Sequence, residues 1–218
     1  MSQKLEAALE YLENGWSIIP IKPETKRPAI RWAEYQHRHP TEEEVTQWWS
    51  QWPDYDIAIV TGVISGVVVV DCDNEEALQA AFDADMRSPV SVVTKRGRHL
   101  YFEHPQDGVR RGPRAGVNSR GSDWPQINGL DFRGDGSYAL LPPSKNYRWD
   151  TPTGLSFDDA PVWRDWRPSI QVEDHRGDFQ FSELDLSHVQ ALQPNEFISE
   201  WDRTAKYVAD KYPNTKKL

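Results

Sequence analysis

Three aspartates that follow apolar, strand-like runs are the residues of this chain best suited to chemistry. Asp71 and Asp73 come directly after the run 66–70, with one residue between them, and Asp131 follows Leu130 about sixty positions later. A strand presents residues i and i+2 on the same face, so we expect the first two carboxylates to point at one place. A third carboxylate from another strand would complete a set of oxygen ligands for Mg²⁺ or Mn²⁺. The sequence therefore predicts a metal site made of Asp71, Asp73 and Asp131, of the kind that serves nucleotidyl transfer.

A cationic turn lies between the aspartate pair and Asp131. Residues 94–99 read Thr-Lys-Arg-Gly-Arg-His, a composition that suits the binding of a triphosphate. A carboxylate cluster beside such a turn predicts a polymerase-type site. A simpler interpretation is that the aspartates mark a strand leaving the core for a solvated turn. A calcium loop fits poorly, because the EF-hand pattern requires glycine at its sixth position, where this chain has Glu76.

The composition predicts one good-sized domain, or one domain with an appendage, in 218 residues. The single cysteine, Cys72, excludes an internal disulfide and a multi-cysteine zinc site, and strand alternation predicts that its side chain faces the core. No apolar stretch approaches the ~20 residues of a membrane span. The first residues lack the pattern of a signal peptide. We therefore expect a cytoplasmic protein without a membrane partner.

The charge distribution leaves room for a local nucleic-acid contact. The net charge of −9 argues against bulk affinity for nucleic acid, but residues 95–120 carry seven basic and two acidic side chains. Such a basic strip can hold a phosphate backbone, with strong dependence on salt. The alternative is a set of solvated loop charges. The candidate DNA contacts, in this strip and in an earlier loop, are Lys26, Arg27, Arg110, Arg111, Arg114 and Arg120.

Hydrophobic periodicity and capping signals predict an α+β fold. An amphipathic helix over 2–14 ends at Gly15, and Thr41 with Glu44 forms a capping box for a second helix. Trp48 and Trp49 in that helix are expected to pack in the core. A central, largely antiparallel sheet is predicted from residues 56–141. The remaining elements predicted are strands at 16–20, 56–60, 66–70, 90–94, 99–103, 130–133 and 137–141, and helices at 75–85 and 196–211.

The order of these motifs resembles the bifunctional primase-polymerases, the prim-pol branch of the archaeo-eukaryotic primase superfamily, which is common in phages and plasmids. The resemblance covers residues 5–150. Single motifs are short, but seven occur in order. They comprise the strand entry 15–20, Lys26-Arg27-Pro28 with Trp32, Trp48-Trp49, the segment 56–62, the aspartate strand 65–73, the turn and strand 94–102, and the segment 130–144.

The resemblance implies a primase-like catalytic core with a mostly antiparallel, RRM-like sheet flanked by helices. Asp71 and Asp73 match the first catalytic motif, His99 the second, and Asp131 the third. The resemblance also implies a nucleotide site at Gly97, Arg98 and His99, although some relatives have serine where this chain has Gly97. Ser144 is either a further phosphate donor or a turn-forming serine.

The resemblance also implies a domain arrangement and a set of partners. We expect a catalytic domain over 1–165, followed over 166–218 by an acidic linker and helical extension that lead to a further region. The implied partners are a single-stranded DNA template, a primer strand, (d)NTPs, and a replicative helicase in cis or in trans.

Three functions are compatible with these residues. The first is template-directed synthesis of a primer or DNA strand by two-metal nucleotidyl transfer. The second is a metal-dependent nuclease using the same carboxylates, which would have little use for the cationic turn. The third is a non-catalytic module for replication initiation or helicase docking, which would have no need for a crowded carboxylate site. The residues favour the first.

Overall fold

A computed structural model describes residues 2–118 and 124–165. The chain divides into two units, Met1–Ser169 and Ile170–Leu218, and every described residue belongs to the first. The helix predicted over 196–211 and the extension predicted from residue 166 lie outside the described residues. The domain boundary at 165 therefore stays a prediction.

The described part contains three α-helices, ten strands and three short 3₁₀ helices. The 3₁₀ helices are Ala33–Gln36, Gly116–Asn118 and Phe157–Asp159. In chain order, the helices and strands are α1 (Gln3–Glu13), β1 (Ile18–Lys22), β2 (Arg27–Pro28), α2 (Glu42–Gln51), β3 (Asp56–Thr61), β4 (Val67–Cys72), α3 (Glu75–Asp83), β5 (Ser91–Val93), β6 (Arg98–Glu103), β7 (Arg114–Ala115), β8 (Leu130–Arg133), β9 (Ser137–Leu141) and β10 (Arg148–Trp149).

Each α-helix begins at a residue whose side chain satisfies a free backbone N–H of the first turn. The capping box predicted for α2 is present, with the Thr41 hydroxyl accepting from the Glu44 N–H and the Glu44 carboxylate accepting from the Thr41 N–H. At the start of α3, the Asn74 side chain accepts from the Ala77 N–H at 2.8 Å. This cap matters for the site, because it ends the segment that carries Asp71 and Asp73 out of β4.

The strands form two sheets. Their orders are β2-β1-β3-β9 and β10-β5-β6-β4-β8-β7, and every pairing between these strands is antiparallel. The α+β class is confirmed. The single sheet predicted from residues 56–141 is wrong in detail, because β3 and β9 pair with β1 instead of joining β4 and β8. Turns at 62–66 and 134–136 carry the chain from one sheet to the other.

Asp135 fixes the place where the two sheets separate. Its carboxylate accepts from the backbone N–H of Val63 at 2.9 Å and of Arg111 at 2.6 Å. Gly62 adopts a φ of +100°, and a Cβ at that position would overlap the Asp135 carboxylate. A glycine is therefore required at this turn.

Strand β4 is buried on both faces and separates two apolar clusters. Val67 and Val69 pack with β1, β3, α1 and α2, whereas Val68, Val70 and Cys72 pack with α3 and β8. The prediction that Cys72 faces the core is confirmed, and burial raises the pKa of its thiol to about 12. By the same alternation, Asp71 lies on the face of Val67 and Val69.

Two further expectations concern the helices. Trp48 and Trp49 are buried in the cluster that packs against β1 and β3, so the prediction that they are core residues is confirmed. Among the described residues, none of the helices has both the length and the apolar character needed to cross a membrane.

Candidate active site

Strand pairing brings Asp71, His99 and Asp131 to one level of the six-stranded sheet. Asp71 on β4 is the register partner of His99 on β6 and of Asp131 on β8. Direct partners in antiparallel strands have Cβ atoms ~4.5–5.5 Å apart and share a face. The three side chains therefore lie side by side at the end of the sheet where β4 leaves the core.

An arginine that the sequence analysis did not single out holds the two carboxylates together. Arg133 Nη2 donates to Asp131 Oδ2 at 2.8 Å and to Asp71 Oδ2 at 3.1 Å. Arg133 lies on the face of Asp131 because the two residues are separated by one position in β8. The Asp-x-Arg spacing within a predicted strand was a signal from which this pairing could have been inferred.

Asp71 is the most buried carboxylate of the site. It is 8% exposed, and His99 Nε2 lies 3.3 Å from its Oδ1. Burial alone would raise the pKa of Asp71, but His99 and Arg133 outweigh burial and hold this pKa well below its usual range. Asp71 therefore remains ionised.

The pKa of Asp131 is shifted in the opposite direction from that of Asp71. Burial raises its pKa, the charges of Asp71 and Asp73 raise it further, and Arg133 only partly offsets them. Like-charged carboxylates that share a site favour any cation able to approach both. A further cation beside Asp131 would therefore stabilise its ionised form.

Asp73 is paired elsewhere. Arg96 Nη2 lies 2.9 Å from Asp73 Oδ1, and the Asp73 N–H donates to the Gly129 carbonyl at 2.8 Å. Across residues 2–118 and 124–165, no group of three His, Cys, Asp or Glu side chains has the arrangement needed to hold a metal ion. Asp71 and Asp131 are therefore the residues that would hold a divalent cation. Their carboxylates both accept from the Arg133 guanidinium.

The turn between β5 and β6 brings Arg96 to this site. Gly97 packs so closely on the end of β4 that a Cβ would overlap the Cys72 carbonyl oxygen. The Gly97 N–H donates to Thr94 Oγ1 at 3.1 Å, which closes the turn. Gly97 thus has a steric role here, and the cation it positions is Arg96.

Arg98 points away from the carboxylates. It precedes His99 on β6, so its side chain lies on the other face of the sheet. There it donates to Ser91 Oγ at 2.8 Å and to Asp150 Oδ2 at 2.5 Å. The structure does not bring Arg98 to the predicted nucleotide site, and strand alternation alone could have indicated this.

The structure distinguishes the two roles considered for Ser144 and adds Tyr147 to the site. The Ser144 hydroxyl is buried, accepts from the Ile57 N–H at 2.9 Å and donates to the Ile57 carbonyl at 3.2 Å. This agrees with a turn-forming serine, not with a phosphate donor. Tyr147, which the sequence analysis missed, places its ring 5.6 Å from that of His99. Burial chiefly, and then Asp71 and Asp73, raise its pKa to about 12.

The candidate DNA contacts do not form one continuous strip. Arg111 is buried and donates to both Asp107 and Asp165, which raises the pKa of its guanidinium and leaves it a structural role. Arg110 lines a cavity of about 350 Å³ with His104 and Asp135. Arg114 lies over the Phe132 ring.

The remaining candidates separate further. Arg120 lies outside the described residues. Lys26 and Arg27 lie at the β1–β2 turn, where the Lys26 carbonyl accepts from the Tyr138 hydroxyl at 2.9 Å. The turn also contains Glu24, whose pKa is lowered chiefly by Lys145 and to a smaller degree by Lys95. Lys95, the residue before Arg96, thus acts electrostatically on the carboxylate of the β1–β2 turn.

Comparison with known proteins identifies the family of the chain. The family model for the N-terminal domain of bifunctional DNA primase/polymerases matches residues 8–163, a range that contains every residue of the carboxylate site. No curated protein matches the chain. Since the matched range covers most of the 218 residues, the chain belongs to the Prim-Pol family of bifunctional DNA primase/polymerase N-terminal domains.

Proposed function

We propose that this Prim-Pol domain is a nucleotidyltransferase that extends a primer on a single-stranded DNA template, using (d)NTPs and Mg²⁺ or Mn²⁺. One observation carries the proposal. Asp71 and Asp131, from strands that are distant in sequence, accept partly buried hydrogen bonds from a single cationic nitrogen. Hard divalent cations select such converging carboxylate oxygens.

In the proposed reaction, the primer 3′-oxygen attacks the α-phosphorus of the incoming nucleotide. A new P–O bond forms, the bond from the α-phosphorus to the oxygen shared with the β-phosphate breaks, pyrophosphate leaves, and the 3′-hydroxyl passes its proton to water. Bound Mg²⁺ or Mn²⁺ would supply the charge that acidifies this hydroxyl and stabilises the α-phosphate and the leaving pyrophosphate. Asp71 and Asp131 would hold the cation, and Asp73 would join them after leaving Arg96.

The chain's own cations are suited to the triphosphate. Lys95 and Arg96 lie on the β5–β6 turn, where Arg96 pairs with Asp73, and Lys26 and Arg27 lie at the β1–β2 turn. Guanidinium groups bind phosphate oxygens through paired, charge-assisted hydrogen bonds. We include Arg96 in the proposed nucleotide site in place of Arg98. His99 would orient Asp71 through its Nε2–H and is the second candidate for a phosphate contact.

The surroundings of the domain are also part of the proposal. We propose that it acts in phage or plasmid replication, in the cytoplasm, with a replicative helicase in cis or in trans. The replication context and the helicase follow from the family resemblance, and the location follows from the composition and the first residues of the sequence.

A non-catalytic module is the second candidate. The observation that favours it is that all three aspartates have arginine partners, as in a structural ion-pair network. A domain of this kind would contribute to replication initiation or helicase docking without consuming nucleotides.

One experiment separates these functions and the nuclease. The protein is incubated with an end-labelled primer annealed to a longer template, dNTPs, and Mg²⁺ or Mn²⁺, and the labelled strand is sized. The proposal expects longer products that require both dNTPs and the cation. Shortened products would favour the nuclease. An unchanged strand, from protein that still binds DNA, would favour the non-catalytic module.

A further inference from the structure

We propose that Arg133 is an exchangeable counter-cation: it neutralises Asp71 and Asp131 until a divalent cation displaces it, and it then binds the phosphates of the incoming nucleotide. This inference deepens the proposed function and rests on it for the identity of the ligand. It assigns to Arg133 a place in the nucleotide site.

The competition follows from the atoms involved. Arg133 Nη2 contacts Oδ2 of Asp71 and Oδ2 of Asp131, so one nitrogen lies between the two carboxylates. A cation that bridges these two Oδ2 atoms would take the position that Arg133 Nη2 now holds. Two positive groups within ~4 Å of each other repel strongly in a partly buried site. Arg133 and a divalent cation therefore exclude each other.

The position of Arg133 allows its side chain to move without unpacking the sheet. Its neighbour Phe132 faces the other side and is fully buried, which anchors β8. The Arg133 backbone is paired with Val69, two residues along the strands from the Asp71–Asp131 pair. The Arg133 side chain is 32% exposed, compared with 11% for Asp71. A rotation of this side chain would release both carboxylates while the strands stay in place.

The chemistry of the released group identifies its ligand. A guanidinium presents a planar fork of donors that matches two phosphate oxygens, and it keeps its charge at every working pH. The nucleotide brings three phosphates to the cation that takes the place of Arg133. The displaced guanidinium would thus exchange two carboxylate contacts for phosphate contacts. Arg96 neutralises the third carboxylate, Asp73, in the same way.

The first test measures cation binding without catalysis. Mn²⁺ is titrated into metal-free protein and free Mn²⁺ is followed by electron paramagnetic resonance. We expect Arg133→Gln to bind Mn²⁺ about tenfold more tightly than wild type, the size of effect that one neighbouring charge has on an ionisation. Arg133→Lys, which keeps the charge, should lie between them. The control Arg148→Gln removes an equal charge from an exposed residue whose side chain contacts Asp150 and the Trp149 carbonyl.

The second test measures nucleotide binding. Calorimetric titration of dATP with saturating Ca²⁺ should show affinity about tenfold weaker in Arg133→Gln than in wild type and in Arg148→Gln. Unchanged or weaker Mn²⁺ binding by Arg133→Gln would overturn the competition. Unchanged dATP affinity would overturn the transfer to phosphate. If Arg133→Gln binds Mn²⁺ more tightly but the wild-type protein never extends a primer, the competition between Arg133 and the cation is supported. In that case only the proposed function is contradicted.

Discussion

Asp71 of β4 and Asp131 of β8 are direct cross-strand partners, although about sixty residues separate them in the chain. Their pKa values are shifted in opposite directions. The partners of Asp71 hold its pKa below the usual range, whereas burial and neighbouring carboxylates raise the pKa of Asp131. A pair of carboxylates with opposed shifts is a frequent property of functional sites.

The opposed shifts predict opposite effects on stability. Stability that Asp71 contributes is present above its unfolded pKa, near ~3.9, and is lost as the pH falls toward its lower folded pKa. Asp71→Asn should therefore lower the free energy of unfolding at pH 7 by about 1–3 kcal/mol, since it removes a charged hydrogen-bond acceptor from buried partners. Asp131 has a raised folded pKa, so its ionisation costs stability as the pH rises through that value. Asp131→Asn should be as stable as wild type at pH 3 and more stable at pH 7.

Melting temperatures of metal-free protein at pH 3 and pH 7 provide the measurement. The difference between wild type and Asp71→Asn should shrink at the lower pH, where part of the Asp71 contribution is already lost. Equal effects of the two substitutions at both pH values would contradict the assignment of the shifts.

Arg96 and Arg98 provide a second prediction, because they differ by two positions and lie in different surroundings. Arg96→Gln should weaken dATP binding in the presence of Ca²⁺ by about tenfold, the size of effect expected for one charged hydrogen bond. Arg98→Gln should change dATP binding little, since its partners are Ser91 and Asp150. Calorimetric titration of both variants checks this, and the reverse order would restore Arg98 to the nucleotide site.

Gly97 provides a third prediction. Gly97→Ala would drive a methyl group into the Cys72 carbonyl, so the β5–β6 turn must shift away from β4. We expect a loss of about 1–3 kcal/mol in the free energy of unfolding, as for overpacking in other cores. Gly112→Ala is the matched control, because a Cβ there meets nothing within 4 Å. Equal melting temperatures for the two variants would show that the turn adapts freely.

The basic strip predicts a salt dependence. If Arg110, Arg114 and Arg120 each contact a phosphate, replacing all three with Gln should lower the slope of log affinity against log salt by about 2 for single-stranded DNA. Fluorescence anisotropy with a labelled oligonucleotide at several salt concentrations measures the slope. Arg111 is left intact because its ion pairs with Asp107 and Asp165 are structural. A slope equal to that of wild type would identify the three arginines as solvated loop charges.

The elements could be predicted from the sequence because their signals are local. The continuous apolar run before Asp71, the capping box at Thr41 and the glycine turns indicated the strands and helices. The separation into two sheets could not be predicted, since it depends on the Asp135 carboxylate meeting two backbone N–H groups from distant turns. The ion pairs of Arg133, Arg96 and Arg111 likewise depend on register and loop packing.

Two of the side-chain positions that the sequence analysis missed could have been predicted from strand alternation. Strand alternation places the Arg98 side chain on the other face of the sheet from His99, and it places Arg133 on the same face as Asp131. Tyr147 had no comparable signal, because it belongs to the loop after Ser144 and reaches His99 only through tertiary packing.

The central claim is that the Asp71–Asp131 pair is the centre of nucleotidyl transfer. The most direct test is primer extension by Asp71→Asn and Asp131→Asn, compared with Asp83→Asn, which removes the same charge at the C-terminal end of α3, where the carboxylate accepts from Gln79. The account predicts that the first two variants lose at least about 10²-fold in extension rate while folded and that Asp83→Asn extends as wild type does. Wild-type extension by a folded Asp71→Asn or Asp131→Asn would contradict it.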